Sequence, residues 1–192
     1  LHEYATKIFY QPLAMSSTGF LPLQRTSLNN IAATELDNYF RKELVQGTVH
    51  DEGASTMGGI AGHAGLFSNA TDLAKLYLML LNNGSYEGKQ YLQPATIQTY
   101  TSYNSAISRR GLGFDKPEKD NKNLKEPYPS KSVSPSTFGH TGFTGTCVWA
   151  DPEHQLLYIF LSNRVFPTRD NKAFSSLNLR SNIQEVTYSA LL

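Results

Sequence analysis

Two runs of strand-forming residues constrain this chain more than anything else in it. Thr144 to Ala150 and Gln155 to Ser162 are rich in Val, Trp, Tyr, Ile, Phe and Leu, and Asp151-Pro152-Glu153-His154 lies between them. Proline presets a turn backbone and aspartate bonds its own backbone two residues on, so the spacing predicts an antiparallel hairpin. Gly111-Leu112-Gly113-Phe114 is a candidate third strand. A closing helix is expected from about Arg180 to Leu191, with Ile183, Val186, Ala190 and Leu191 on one side. Strands grouped together and flanked by helices, without βαβ alternation, indicate an α+β fold.

The first part of the chain, residues 1–110, reads as mainly helical. Residues 1–10 form a short helix stopped by Pro12, because the residue before proline avoids the α region. A second helix is expected over Ile31–Leu44, where Leu36, Phe40 and Leu44 recur at i, i+4, i+8. The clearest is Ala70–Asn83: Asn69 caps it, Asp72 suits its positive end, and Leu73, Leu76, Tyr77, Leu80 and Leu81 form one stripe. Gly84 supplies the left-handed stop. A further helix starts at Pro94 and runs to about Tyr103.

Two segments fit no period. Residues 47–66 hold six glycines with His50, Asp51, Glu52 and His63. This is expected to be an extended loop, and two readings stay open: a pocket loop using His50, Asp51 and His63, or glycine-permitted tight packing. Residues 115–136 carry four prolines and five lysines with almost nothing apolar, and read as a solvated, mobile excursion.

Composition excludes several function classes. The chain has 192 residues, 40% hydrophobic and 17% charged, enough for a real core and unlike a disordered or coiled-coil sequence. A net charge of +1 offers no basic surface for nucleic acid. The single cysteine, Cys147, rules out an intrachain disulfide and reads as a small buried side chain. No apolar run approaches the roughly 18–20 residues a bilayer requires. The opening Leu1-His2-Glu3-Tyr4 has no initiator methionine, which leads us to expect a processed or cloned piece of one domain.

Familiar catalytic motifs are missing. There is no Gly-x-Ser-x-Gly, His-Glu-x-x-His, phosphate-binding Gly-x-x-x-x-Gly-Lys or dinucleotide glycine pattern. His50, Asp51 and His63 match no metal-ligand spacing, so no metal and no cofactor are expected. The remaining chemical candidate is Phe138-Gly139-His140-Thr141-Gly142-Phe143-Thr144-Gly145-Thr146, which leads into the first strand of the hairpin. Such a backbone can turn N–H groups toward a cavity, as an oxyanion hole requires. Taken alone, it reads equally as a plain approach to a strand.

Ordered blocks then bring a resemblance. Val49-His50-Asp51-Glu52, Gly58 to Ser68, Asp72-Leu73-Ala74-Lys75, Phe138 to Thr146 and Leu161-Ser162-Asn163-Arg164-Val165 occur in the order of the β-lactamase-related serine hydrolases. Gln11 to Thr18 resembles the preceding Pro-Leu-Gly-Met block, with Ala14 in place of glycine. The group includes class C β-lactamases, D-Ala-D-Ala carboxypeptidases and esterases. The resemblance implies a partial β-lactamase/transpeptidase-like fold. It puts His140-Thr141-Gly142 at the third motif, Lys-Thr-Gly or His-Thr-Gly, with the Phe143 N–H as an oxyanion donor.

It also exposes what these residues lack. The nucleophile motif is Ser-x-x-Lys, and no serine here has lysine three residues later. The second motif, Tyr-x-Asn or Ser-x-Asn, is matched only by chance triplets in the wrong places. The resemblance therefore implies a C-terminal fragment, inactive alone, with nucleophile and base upstream of Leu1. Histidine in place of the motif lysine trades a fixed cation for a side chain mostly neutral near pH 7, favouring ester or amide substrates over penicillins. A small or cell-wall-derived substrate, a bacterial envelope location and self-association through an exposed sheet edge are the accompanying expectations. Residues 163–171 further resemble members fused to a family-3 glycoside hydrolase of the β-N-acetylglucosaminidase type in Bacteroides-type bacteria. The competing expectation is a non-catalytic wall-binding or accessory module.

Overall fold

The computed structural model describes residues 1–191, and the chain divides into two compact units. The first comprises residues 1–76, 143–145 and 161–172, and the second residues 77–142, 146–160 and those from 173 onward. Among the described residues no helix is long and apolar enough to cross a membrane.

In the first unit, helix α1 (His2–Ala5) continues as a π-helical turn over Thr6–Tyr10, ending ahead of Pro12 as expected. The helix predicted over Ile31–Leu44 is absent. Strands β1 (Glu35–Asp37) and β2 (Glu43–Val45) pair there as an antiparallel hairpin, with Leu36 opposite Leu44. The cause is Asp37, whose buried carboxylate accepts the N–H groups of Tyr39, Phe40 and Arg41 and so builds a turn. Leu36, Phe40 and Leu44, whose spacing mimicked a helix face, are all about half exposed, whereas Glu35 and Asp37 point inward. The strand period of two, with its polar side buried, wins over an accidental period of four.

The glycine-rich segment is not wholly extended. Helix α2 (Glu52–Thr56) sits inside it, capped by Asp51, whose Oδ1 accepts the Ala54 N–H at 2.7 Å. At Gly65 (φ +109°) an added Cβ would stand 2.4 Å from the Gly59 carbonyl oxygen, so tight packing requires glycine there. Helix α3 (Ala70–Leu81) matches its prediction, with the Asp72 N–H on Asn69 Oδ1 and Gly84 left-handed after its end. Its most buried apolar side chain is Met79, outside the expected stripe.

The second unit holds α3 from Tyr77 onward, then the short pair β3 (Ser85–Tyr86) and β4 (Lys89–Gln90), followed by helix α4 (Pro94–Thr101). Its sheet has three antiparallel strands in the order β5-β6-β7: β5 (Phe138–Thr141), β6 (Cys147–Asp151) and β7 (Leu156–Phe160). The predicted hairpin is β6–β7. The third strand is β5 and not Gly111–Phe114, a correction with a simple cause: only Asp115, just past that stretch, bridges to Gly139. Every residue of the central β6 is buried, and Cys147, Trp149 and Tyr158 form a cluster closed by Tyr128 and Phe160. Burial pushes the Cys147 thiol up to about 11, in keeping with an inert core cysteine.

Two further expectations are corrected here. Residues 115–136 are not a solvated excursion: Asp115, Lys116, Asn121, Ser130, Val133 and Ser134 are buried. Their anchor is the hairpin-turn residue Asp151, which accepts from Ser134 N–H, Ser134 Oγ and Tyr188 Oη. The final helices are α5 (Ala173–Ser176) and α6 (Leu179–Leu191). On α6 the expected apolar side is outward, with Ile183, Val186 and Leu191 exposed, while Gln184 and Tyr188 are buried. The helix docks through polar contacts, Tyr188 on Asp151 and Glu185 on Ser132.

Candidate active site

Strand β5 presents the His140-Thr141 pair. It lies at one edge of the sheet, with β6 on its other side. Gly139 exchanges both backbone hydrogen bonds with Asp115, so its N–H and C=O face away from β6. Antiparallel pairing alternates by residue, which turns the Thr141 N–H toward that same side, away from β6. An added Cβ at Gly139 would lie 2.0 Å from the Val148 carbonyl oxygen, so glycine lets β5 lie flat on its neighbour. Past the strand, Arg180 Nη1 donates to the carbonyls of Gly142 and Thr146, closing the tight turn.

His140 is exposed, and its two ring nitrogens have different partners. Nδ1 is 2.7 Å from the Thr141 carbonyl oxygen, and Nε2 is 2.9 Å from Arg110 Nη1. A guanidinium can only donate and a carbonyl can only accept. The tautomer that satisfies both is therefore neutral, with its hydrogen on Nδ1. Behind Arg110, Asp115 is buried and takes two hydrogen bonds from Arg109, one from Tyr128 Oη and one from the Lys116 N–H. Burial raises the Asp115 carboxyl, but these donors, Arg109 foremost, outweigh it and leave it lowered.

Within the first unit, Phe143 is clamped. Arg164 Nε donates to its carbonyl at 2.7 Å, with the guanidinium 4.4 Å over the ring. The His50 ring stacks on the same phenyl at 5.7 Å between centroids. His50 is itself fixed below by Glu35 at 2.7 Å. Arg169 donates to both Glu35 oxygens through its side chain, to one through its backbone N–H, and to Glu52. Burial pushes the Glu35 carboxyl up, yet the Arg169 and His50 hydrogen bonds prevail and hold it at about 2.

Thus the structure places His50 against Phe143, and His63 elsewhere. His63 is exposed and bonds Asp51 at 3.0 Å, beside the α2 cap. Sequence reading missed Glu35, Arg110, Arg164 and Arg169. Glu35 was hidden by the mistaken helix. Arg109-Arg110 directly before Gly111 was a visible signal, two adjacent cations ahead of a glycine.

Comparisons with known proteins identify the family and the fold. A family model described as beta-lactamase matches residues 1–178. The chain belongs to the beta-lactamase family. A protein of Escherichia coli (strain K12) named "Putative D-alanyl-D-alanine carboxypeptidase" is 35% identical over 176 residues, covering 85% of this chain and 40% of its own length. One of the same name from Salmonella enteritidis PT4 is 35% identical over 177 residues, with the same coverage. The chain thus spans about two fifths of the curated relatives it matches. Among solved structures, a beta-lactamase from Mycobacterium bovis superimposes with TM-score 0.60 at 18% identity, covering 100% of this chain and 57% of that one. A penicillin-binding protein homologue from Caulobacter crescentus gives 0.57 at 18%, covering 95% and 52%. The family chain here therefore carries part of a beta-lactamase/transpeptidase-like fold, as its ordered sequence blocks implied.

Proposed function

We propose that residues 1–192 form one wall of a serine hydrolase active centre, with the nucleophile and its base upstream of Leu1. The observation that carries this reading is β5 itself: an exposed His140 and a Thr141 N–H turned away from β6. When a serine oxygen attacks a carbonyl, negative charge gathers on the carbonyl oxygen. Fixed N–H donors stabilise it there without reorganising. By the family resemblance the Phe143 N–H is one such donor, and Arg180, which donates to the Gly142 carbonyl of that same peptide, keeps it from rotating. His140 and Thr141 orient the bound acyl group.

The bond attacked is an ester, an amide or a cell-wall peptide linkage, passing through an acyl-serine. The names of the E. coli and Salmonella relatives favour cell-wall peptide and, with it, the bacterial envelope. The outer edge of β7, which pairs only with β6 among the described residues, would be covered by the rest of the hydrolase or by a second copy.

The test is chemical. Residues 1–192 alone are expected neither to hydrolyse a chromogenic β-lactam or short-chain ester nor to be labelled by a fluorophosphonate. The full-length protein is expected to be labelled once, on the serine of an upstream Ser-x-x-Lys. Stoichiometric labelling of a serine within these residues would overturn the reading. A full-length protein without Ser-x-x-Lys and without labelling would favour the wall-binding or accessory module, including one attached to a glycoside hydrolase.

A further inference from the structure

The two faces of the three-stranded sheet have different neighbours. Directly opposed residues of antiparallel strands put their side chains on one side, so Phe138, His140, Val148 and Ala150 share a face. Thr141, Cys147, Trp149, Tyr158 and Phe160 share the other. There the Phe160 ring stacks on Phe174 of α5, and the Tyr158 hydroxyl donates to the Arg180 carbonyl of α6. Between this second face and the two helices lies a cavity of about 150 Å³, formed wholly within the second unit. Tyr128, Trp149 and Phe174 give it aromatic walls, and Gln184 and the first turn of α6 complete it.

Two independent features of these walls call for the same kind of group. Gln184 is only 1% exposed, yet its amide nitrogen Nε2 has no hydrogen-bond partner among the described residues. A buried donor left unmet is costly, because it has given up water and gained nothing in return. The first turn of α6 adds backbone N–H groups for which the helix itself has no carbonyl, as at any helix start. Both features offer donors, so the group they lack is an acceptor. Arg180 also lines the cavity, but its guanidinium is engaged already. Its Nη1 donates to the Gly142 and Thr146 carbonyls, and its charge lies 5.5 Å over the Phe174 ring. What remains is a neutral amide donor among three aromatic rings, a setting for an uncharged ligand. Water would answer the amide and leave the rings uncovered, whereas an arene with one oxygen acceptor answers both. A cavity of roughly this volume holds a single six-membered ring.

We propose that this cavity binds a small neutral aromatic compound of the phenol type. Its ring lies among Tyr128, Trp149 and Phe174, and its oxygen accepts a hydrogen bond from Gln184. The site is independent of the hydrolase reading and lies on the other face of the sheet from His140.

The experiment titrates the full-length protein at pH 7 with phenol and with toluene, which has the same shape but no acceptor. Binding is followed by the indole N–H NMR signal of Trp149, assigned through its loss in Trp149→Phe. Phenol is expected to shift that signal saturably, with a dissociation constant about tenfold below that of toluene. Gln184→Leu keeps the bulk and removes the donor, so it should bring the two constants within about twofold. The comparison of phenol with toluene on the unaltered protein decides the matter if that variant does not fold. Absence of a saturable shift with phenol, or toluene binding as tightly as phenol, would overturn the proposal. So would a preference for phenol that survives in folded Gln184→Leu. Tighter binding of benzoate than of phenol would overturn it too, because the seat would then be the Arg180 cation and not the amide.

Discussion

The molecule contains two histidine–arginine neighbourhoods built on opposite principles. In the first unit His50 is buried, its Nε2 held by Glu35, and the nearby Arg169 is neutralised by both Glu35 and Glu52. In the second unit His140 is exposed, and Arg110 is left with Asp115 at 3.8 Å as its nearest carboxylate. The difference is one of counter-charge supply. Two acids per arginine make a closed network that can serve only to hold Phe143 and the chain around it. In the second neighbourhood Glu118 and most of Asp115 are spent on Arg109, which leaves Arg110 a cation with open donors.

The strongest way to break this contrast is to remove the acid from the closed network. Glu35→Gln keeps the shape but leaves Arg169 with Glu52 alone. Breaking a wholly buried pair costs about 3–5 kcal/mol, and solvent at the partly exposed Arg169 softens that. We expect a loss on the order of 2–3 kcal/mol in urea unfolding, with His50 no longer stacked on Phe143. A change below about 0.5 kcal/mol, typical of surface positions, would make the two neighbourhoods equivalent.

The same acid sets a pH signature of smaller size. The Glu35 carboxyl is lowered from 4.5 to about 2 in the folded protein. Between those values the unfolded chain binds the extra proton, so stability rises with pH across that interval. The contribution is complete above about pH 4.5 and is lost as pH falls through about 2. The stability gap between wild type and Glu35→Gln should therefore narrow steadily from pH 5 to pH 2.5. A gap that stays constant would mean that the Glu35 charge is not what closes the network.

The contrast also explains which parts were legible in the sequence. The hairpin β6–β7, helix α3 and the ordered family blocks were readable because each depends on local chemistry: β-branched and aromatic runs, a cap and a stop, residues in sequence order. The hairpin β1–β2 was not, because its inward face is Glu35 and Asp37 and its outward face is leucine. Its turn rests on the local Asp37 carboxylate, but its inward Glu35 is held by Arg169, more than a hundred positions away. The 115–136 segment misled in the same way, since Lys116 is buried on the carbonyls of Ser136 and Thr137 and over the Tyr103 ring. The His140-Thr141-Gly142 motif was found from order alone, whereas Arg110 was missed because its role depends on Asp115 already being spent on Arg109.

The smallest expected effect is the sharpest measure of that last point. A double-mutant cycle on stability, with Arg110→Ala and His140→Ala, isolates the energy the pair exchanges. The bond between them lies at a half-exposed side chain, where water replaces it readily, and exposed polar pairs contribute about 0.2–1 kcal/mol. We expect a coupling of about 0.5 kcal/mol or less, with neither single change lowering stability by more than about 1 kcal/mol. The corresponding cycle on Glu35 and Arg169 should give several times more. If the Arg110–His140 coupling equalled it, the guanidinium would be held by the fold as tightly as Arg169 is. The exposed pair would then be a second structural clamp.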